Sequence, residues 1–333
     1  MKPYAAYAIG AALVDTEIQV TDAELAEMNV EKGMMTLVDQ ARQRHMLTTL
    51  SDHLIRANHA SGGSAGNSMI ATAMMGAPTY MSCKVAQDAD GDIYLADLEQ
   101  SGVAHGLTER STDGVTGKCI VLITPDAERS LNTHLGISET LSTDEVDEAA
   151  IKGSEWIYLE GYLVTSPSGH AAALKTKALA ESHGVKTAVS FSDPGMVKFF
   201  RDNMAAMVEG GVELVFSNES EALEWGQCDD LDAAIEAIKS VARRFVITLG
   251  ADGAVTWDGE TLHRVAAKPV EAVNTNGAGD MFAGAFLYAL SRGESDLRAT
   301  EYATLAAGEV VKYFGPRLER DACLALRRQF FGD

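Results

Sequence analysis

The chain has 333 residues, 46% of them hydrophobic, and carries a formal net charge of −21 from 48 acidic and 27 basic residues. That apolar content supplies a large core, the acidic field disfavours a nucleic-acid partner, and no apolar run of about 18 residues or basic leader marks a membrane span or signal peptide. Four scattered cysteines (Cys83, Cys119, Cys228, Cys323) form no C-x-x-C pair and the eight histidines no H-E-x-x-H set, so free thiols in a cytoplasmic protein without a zinc site are expected.

Tyr4 to Ile9 reads as a first buried strand. Asp15 follows it, at the kind of strand end where parallel-sheet enzymes bind ligands. Its carboxylate can accept hydrogen bonds from two vicinal hydroxyls or stand as a plain loop acid. Residues 16–49 are polar and mixed, with an amphipathic piece at Asp22 to Met28 and a short apolar piece at Met34 to Val38. They fit no compact strand–helix step and read as an insertion that could fold over a site. Gly62-Gly63-Ser64-Ala65-Gly66-Asn67 then opens an apolar helical run, Ser68 to Met75. Two glycines there serve a tight turn or a close backbone approach to a polar ligand, and Asn67 offers a donor and an acceptor.

Lys118 to Thr124 is extended and Thr124-Pro125-Asp126 signals a hairpin into Arg129-Ser130-Leu131. Just before it, Thr112 to Cys119 matches a P-loop only in part. Thr112 stands where the first glycine belongs, and Cys119 where Ser or Thr must bind Mg²⁺. No G-x-G-x-x-G follows the first strand, so a nicotinamide-binding unit is unsupported. From Trp156 the pattern is regular: strands at Ile157 to Leu159, Val185 to Phe191, Val212 to Phe216 and Phe245 to Leu249. Helices fall at Gly169 to His183, Met196 to Val208 and Leu231 to Ala242. This alternation implies a parallel sheet covered on both faces. The last third is helical: Gly277 to Ser291, Asp296 to Tyr313 and Arg320 to Phe330.

The most informative stretch is Asn274-Thr275-Asn276-Gly277-Ala278-Gly279-Asp280. Behind it Met281, Phe282, Ala285, Phe286 and Ala289 recur with helical spacing, so a small-residue turn opens a buried helix. The N–H groups of such a terminus, with the helix dipole, form an anion site. Asp280 in that first turn either complements the dipole or accepts a proton from a hydroxyl attacking a phosphoryl group held there.

This heptapeptide resembles the C-terminal signature of the ribokinase (PfkB) family of sugar and nucleoside kinases, usually Asp-Thr-x-Gly-Ala-Gly-Asp. Gly62-Gly63-Ser64-Ala65-Gly66-Asn67 resembles its N-terminal Gly-Gly-x-x-x-Asn signature, in the family's order. The resemblance runs from Ile9 to Leu318. It implies one ribokinase-like three-layer α/β/α domain over 1–333, with a mostly parallel central sheet and a small β-rich lid formed by about 15–50 and 110–135. It also implies ATP and Mg²⁺, leaves room for a monovalent cation such as K⁺, and implies small-molecule partners only, in a monomer or homodimer. Asp280 would be the base, the N–H groups of Gly277, Ala278 and Gly279 the anion hole, and Arg129 the phosphoryl clamp. Asp15, Gly62, Gly63, Ser64 and Asn67 would hold the acceptor. Asn218 and Glu221, in Asn218-Glu219-Ser220-Glu221, match the family's Asn-x-x-Glu and would organise Mg²⁺; Asn218 also suits a helix N-cap. Thr248, Gly250 and Gly253 match the ATP-side loop, with Asn274 and Thr275 beside them.

The insertion before the glycine pair, Arg129-Ser130-Leu131, and Glu160-Gly161-Tyr162-Leu163 look closer to adenosine kinases than to the sugar kinases. That branch implies phosphate transfer to the 5′-hydroxyl of a purine ribonucleoside. Leu13, Met34, Met35, Leu37 and Tyr162 would lie against the base or belong to the core. Two departures bear on specificity: Ala11 stands where that branch commonly has asparagine, and Asn274 replaces the signature's first acid. A sugar kinase of the same fold, or a ligand sensor that keeps the fold without the reaction, are the other readings.

Overall fold

A computed structural model describes residues 2–53, 58–107 and 109–333. Its strands are β1 (Tyr4–Ile9), β2 (Leu13–Gln19), β3 (Met35–Leu37), β4 (Asn58–Gly62), β5 (Thr79–Ser82), β6 (Val103–Ala104), β7 (Gly117–Ile123), β8 (Arg129–His134), β9 (Ser154–Glu160), β10 (Lys186–Ser190), β11 (Val212–Asn218), β12 (Ala242–Thr248), β13 (Ala254–Trp257) and β14 (Leu262–Val265). Nine form one sheet in the order β14-β13-β12-β11-β10-β9-β1-β5-β6, and the other five a second sheet, β3-β8-β7-β2-β4. In the large sheet all pairs from β12 to β6 are parallel, and β13 and β14 add an antiparallel edge.

Parallel strands are buried on both faces, so they read as apolar runs. Ala6, Ala8, Tyr158, Ala188, Leu214 and Val246 face one core. Tyr7, Ile9, Ile157, Leu159, Val189, Val215 and Phe245 face the other. The first core includes the helices Ser64–Met74 and Ala278–Ser291, which pack closely because Gly284 has no side chain. A Cβ there would lie 2.6 Å from both Ala71 Cβ and Ser68 O. Thr72 Oγ1 donates to Gly284 O at 2.9 Å, so the crossing is also hydrogen-bonded. This crossing sets Asp280 beside Ser64 and Asn67.

The second sheet alternates. Ile18, Ile120 and Leu122 pack beneath the short helices Asp22–Glu27 and Gln40–Thr49, joined by Leu25 and Met46. Leu13, Cys119, Val121 and Ile123 occupy the opposite face with Leu131 and Leu135. The expected hairpin after Lys118 is the antiparallel β7–β8 pair, with Ile123 opposite Arg129.

Several segments differ from the sequence expectation. Residues 13–19 are a strand, hidden in the sequence because the face carrying Leu13 continues with the buried acids Asp15 and Glu17. The expected helix Met196 to Val208 is two, Pro194–Phe199 and Arg201–Val208, broken at Phe200 with φ −122° and ψ 33°. Helix Ala89–Ser101 and the short strands β5, β6, β13 and β14 carry too little periodicity to have been assigned. Among the described residues no helix is long and apolar enough to cross a membrane.

Candidate active site

The carboxyl ends of β9, β10, β11 and β12 open into a cavity of about 700 Å³, where Glu160, Ser190, Asn218 and Thr248 line the wall. The second sheet closes the other side with Leu13, Asp15, Cys119, Leu131 and Leu135. The site thus lies where parallel α/β sheets generally bind ligands, with one wall added by a separate sheet.

Helix Ala278–Ser291 starts at Gly277, whose φ of +73° is left-handed and whose terminus no side chain among the described residues caps. Only glycine fits there: a Cβ would lie 2.0 Å from Pro316 O. Asp280 sits in the first turn and lines the cavity. Ser64 Oγ donates to its Oδ1 at 2.7 Å and Asn67 Nδ2 to its Oδ2 at 3.0 Å. Burial raises the pKa of this carboxyl, while Ser64, Asn67, Arg129 and Arg317 pull the other way. Both polar ends of Asn67 are engaged inside the protein, since its Oδ1 accepts from Arg317 Nη1 at 2.9 Å.

Asp15 is 5% exposed, and its Oδ1 has no hydrogen-bond partner among the described residues. An unmatched buried acceptor is costly unless something fills it. Burial pushes the Asp15 carboxyl up to about 7; the charges of Glu17 and Asp280 add to the rise, and Arg317 and the Asn276 amide oppose it. Gly63, at φ +88°, is on the wall, but Gly62 is not. A Cβ on Gly62 would meet Asp15 Oδ1 at 2.1 Å, so Gly62 makes room for the carboxylate rather than touching a ligand.

Asn218 and Glu221 line the cavity and cap the helix Glu219–Gly226 reciprocally. Glu221 N–H donates to Asn218 Oδ1 at 2.8 Å, and Glu221 accepts from Asn218 N–H and Nδ2 at 2.9 and 2.7 Å. Burial pushes the Glu221 carboxyl up to about 7. Arg129 reaches the cavity from β8, and its charge favours the ionised forms of Asp280, Asp193 and Glu221. Thr248, Gly250, Gly253 and Thr275 line the same side. The amide and hydroxyl of Thr275 donate to Ala127 O at 3.3 and 2.9 Å, tying this turn to the β7–β8 hairpin.

Leu13, Met35, Leu37 and Tyr162 line the apolar end, and Tyr162 donates to Ser192 O at 3.2 Å. Met34 lies off the wall, beside Gly195. Asn274 also lies off it: fully buried, it donates to Glu17 Oε1 at 3.1 Å and does not reach the cavity. Two residues with no role assigned from the sequence belong to the site. Glu160 accepts from the N–H groups of Ala11 and Ala65 at 2.8 and 2.7 Å, and burial pushes its carboxyl up to about 7. Its sequence signal was the same as that of Asp15, an acid at the end of an apolar strand. Arg317 comes from an irregular segment with no pattern to mark it.

Comparison with known proteins gives a consistent family. The model of the pfkB family carbohydrate kinases matches residues 33–323. The crystal structure of adenosine kinase from Sinorhizobium meliloti superposes with a TM-score of 0.92 at 32% identity, covering 98% of this chain and 99% of that one. A probable sugar kinase from Rhizobium etli CFN 42 superposes with a TM-score of 0.93 at 31% identity, covering 100% and 99%. Adenosine kinase of Saccharomyces cerevisiae is 27% identical over 330 residues, 92% of this chain and 95% of the relative. The chain belongs to the pfkB carbohydrate kinase family, with the ribokinase-like α/β fold, and is a phosphotransferase with an alcohol group as acceptor.

Proposed function

We propose that this kinase transfers the γ-phosphate of ATP to the 5′-hydroxyl of a purine ribonucleoside, with adenosine the first choice. The observation that carries the reading is the pairing, in one cavity, of the held carboxylate of Asp280 with the buried carboxylate of Asp15, next to an apolar wall. A diol bound at Asp15 leaves the apolar end for a flat base, which a free sugar would not fill. The likeness to adenosine kinases over nearly the whole chain supports the same acceptor.

In this mechanism Asp280 takes the proton of the attacking hydroxyl while Ser64 and Asn67 keep its carboxylate aimed. The N–H groups of Gly277, Ala278 and Gly279 hold the charge that develops on the phosphoryl oxygens, with the helix dipole behind them. Arg129 adds a fixed positive charge from the second sheet. Asp15, Gly63 and Ser64 fix the ribose; Asn67 serves Asp280 first and offers the ribose only its remaining N–H. Thr248, Gly250, Gly253 and Thr275 border the nucleotide. Asn218 and Glu221 suit Mg²⁺: both are hard oxygen donors, and each Glu221 oxygen accepts one hydrogen bond and keeps a lone pair for a water of the ion. When bound, Mg²⁺ neutralises phosphate charge. Within a single kinase domain, residues 15–50 and 110–135 act as a lid whose closure keeps out water, the competing acceptor.

The test is ADP release from Mg-ATP against adenosine, inosine, guanosine, cytidine, ribose, fructose and 2-keto-3-deoxygluconate. Strong turnover with one purine nucleoside is expected. Turnover with sugars alone would replace the reading by a sugar kinase, and silence in a folded protein that still binds ATP would favour an acceptor outside the panel or a ligand sensor.

A further inference from the structure

Glu17 is 3% exposed, and three donors converge on its carboxylate. Asn274 Nδ2 and Asn276 Nδ2 reach Oε1 at 3.1 and 2.9 Å, and Gly315 N–H reaches Oε2 at 2.8 Å. Asn274 Oδ1 in turn accepts from Asn276 N–H at 2.9 Å. These donors belong to the two segments that shape the anion-binding turn: 274–276 leads into Gly277, and Gly277 packs against the backbone of Pro316. A carboxylate is an acceptor only, so it satisfies all three donors without bringing one of its own. An amide at position 17 would turn its own N–H₂ toward a donor whichever way it flipped.

We propose that Glu17 is the positioning residue of the anion-binding turn, holding from β2 the negative charge that the turn itself lacks at Asn274, so that positions 17 and 274 form an exchangeable acid–amide pair. The proposal rests on the kinase reading of the Asp280 site. It explains why an amide stands first in the heptapeptide: Asn274 faces a buried carboxylate, and a second acid there would meet like charge. Exchanging the pair keeps the contact with its polarity reversed. An amide at position 17 donates to a carboxylate at position 274, and that carboxylate still accepts from Asn276 N–H. The carbonyl of the amide at position 17 accepts from Gly315 N–H, and the Asn276 amide flips so that its Oδ1, in place of Nδ2, faces and accepts the second N–H of that amide.

The experiment is a double-mutant cycle of Glu17→Gln, Asn274→Asp and the two together, with thermal unfolding recorded for every protein. Each single change is expected to lower kcat by about tenfold or more, and the double variant to return to within about threefold of the parent. Acceptor affinity, measured by calorimetry at about pH 9 where Asp15 is ionised with or without the Glu17 charge, should change far less than kcat, because a turn displaced from the phosphoryl group affects kcat more than acceptor binding. Singles within about twofold of the parent, or a double whose loss is the product of the two, would overturn the proposal. Where a single variant fails to fold, the double decides: a folded, active double sustains the exchange and an unfolded one refutes it. If the parent phosphorylates no acceptor, the kinase reading has failed separately. The same cycle is then read from Mg-ADP binding by calorimetry, where recovery in the double supports the positioning role and simple additivity removes it.

Discussion

Arg317 decides which end of the Asn67 amide faces Asp280. Its Nη1 donates to Asn67 Oδ1 at 2.9 Å, so the amide nitrogen is left to donate to Asp280 Oδ2 at 3.0 Å. Arg317 is itself fixed, donating through Nη1 to Ser61 O at 2.9 Å and through Nη2 to Asp97 Oδ2 at 2.5 Å. A guanidinium tied to β4 and to helix Ala89–Ser101 thus sets the direction of the carboxylate proposed as base.

Arg317→Ala is expected to lower kcat by ~10–100-fold with a smaller change in acceptor KM. Arg317 opposes the effect of burial on Asp280, so its loss raises the Asp280 pKa further. The acid limb of the kcat profile then moves to higher pH, which a merely structural lesion would not do. Added guanidinium should restore part of the rate. An unmoved limb with kcat within a factor of a few would remove Arg317 from this role.

Asp280→Asn tests the base directly. The amide still accepts one hydrogen bond from the Ser64–Asn67 pair but cannot take a proton. The expected loss in kcat is ~10²–10⁴-fold at nearly unchanged nucleoside affinity. Single-turnover assay with calorimetry on the same protein separates the two quantities. Activity close to the parent's would move the base elsewhere.

The legible parts of this molecule are those where one local rule acts alone. Apolar runs such as Phe245 to Leu249 and Val212 to Phe216 announced parallel strands because burial on both faces needs no alternation. Gly277 to Asp280 announced the site because small residues at a helix start have few other uses. β2 was not legible, because Asp15 and Glu17 put acids on its buried face and erase the alternation. The destination of Asn274 was not legible either. Its partner Glu17 lies 257 residues away in sequence, and only the packed sheets bring the two together. Arg317 follows the same logic, with partners at Asn67 and Asp97 that no local spacing predicts.

Gly62→Ala separates space from contact in the glycine pair. Its new Cβ would fall within 2.1 Å of Asp15 Oδ1, so the carboxylate must move. Acceptor KM is expected to rise by about tenfold, with kcat at saturation much less affected, as for lost ground-state binding. Gly63→Ala should be worse in both, because its φ of +88° strains any side chain and a Cβ would lie 2.3 Å from Ala11 O. Equal behaviour of the two variants would mean that Gly62 does more than make room.

The buried acids predict how stability depends on pH. Asp15, Glu160 and Glu221 are each raised to about 7 in the fold, chiefly by burial. Between about pH 4 and pH 7 the folded state therefore holds protons that the unfolded chain has released. Stability conferred by the protonated acids is complete below the unfolded pKa and is lost as pH rises through the folded one. The ligand-free protein is expected to melt at lower temperature at about pH 8 than at about pH 5.5. Asp15→Asn isolates one share of this trend: it should narrow the gap between the two Tm values while weakening acceptor binding. In the parent, a nucleoside whose hydroxyl donates to the Asp15 carboxylate stabilises the ionised form, so its Tm shift should be larger at the higher pH. Melting curves at both pH values, with and without adenosine, measure all three effects. A gap that Asp15→Asn leaves unchanged would show that this carboxylate does not titrate in that range.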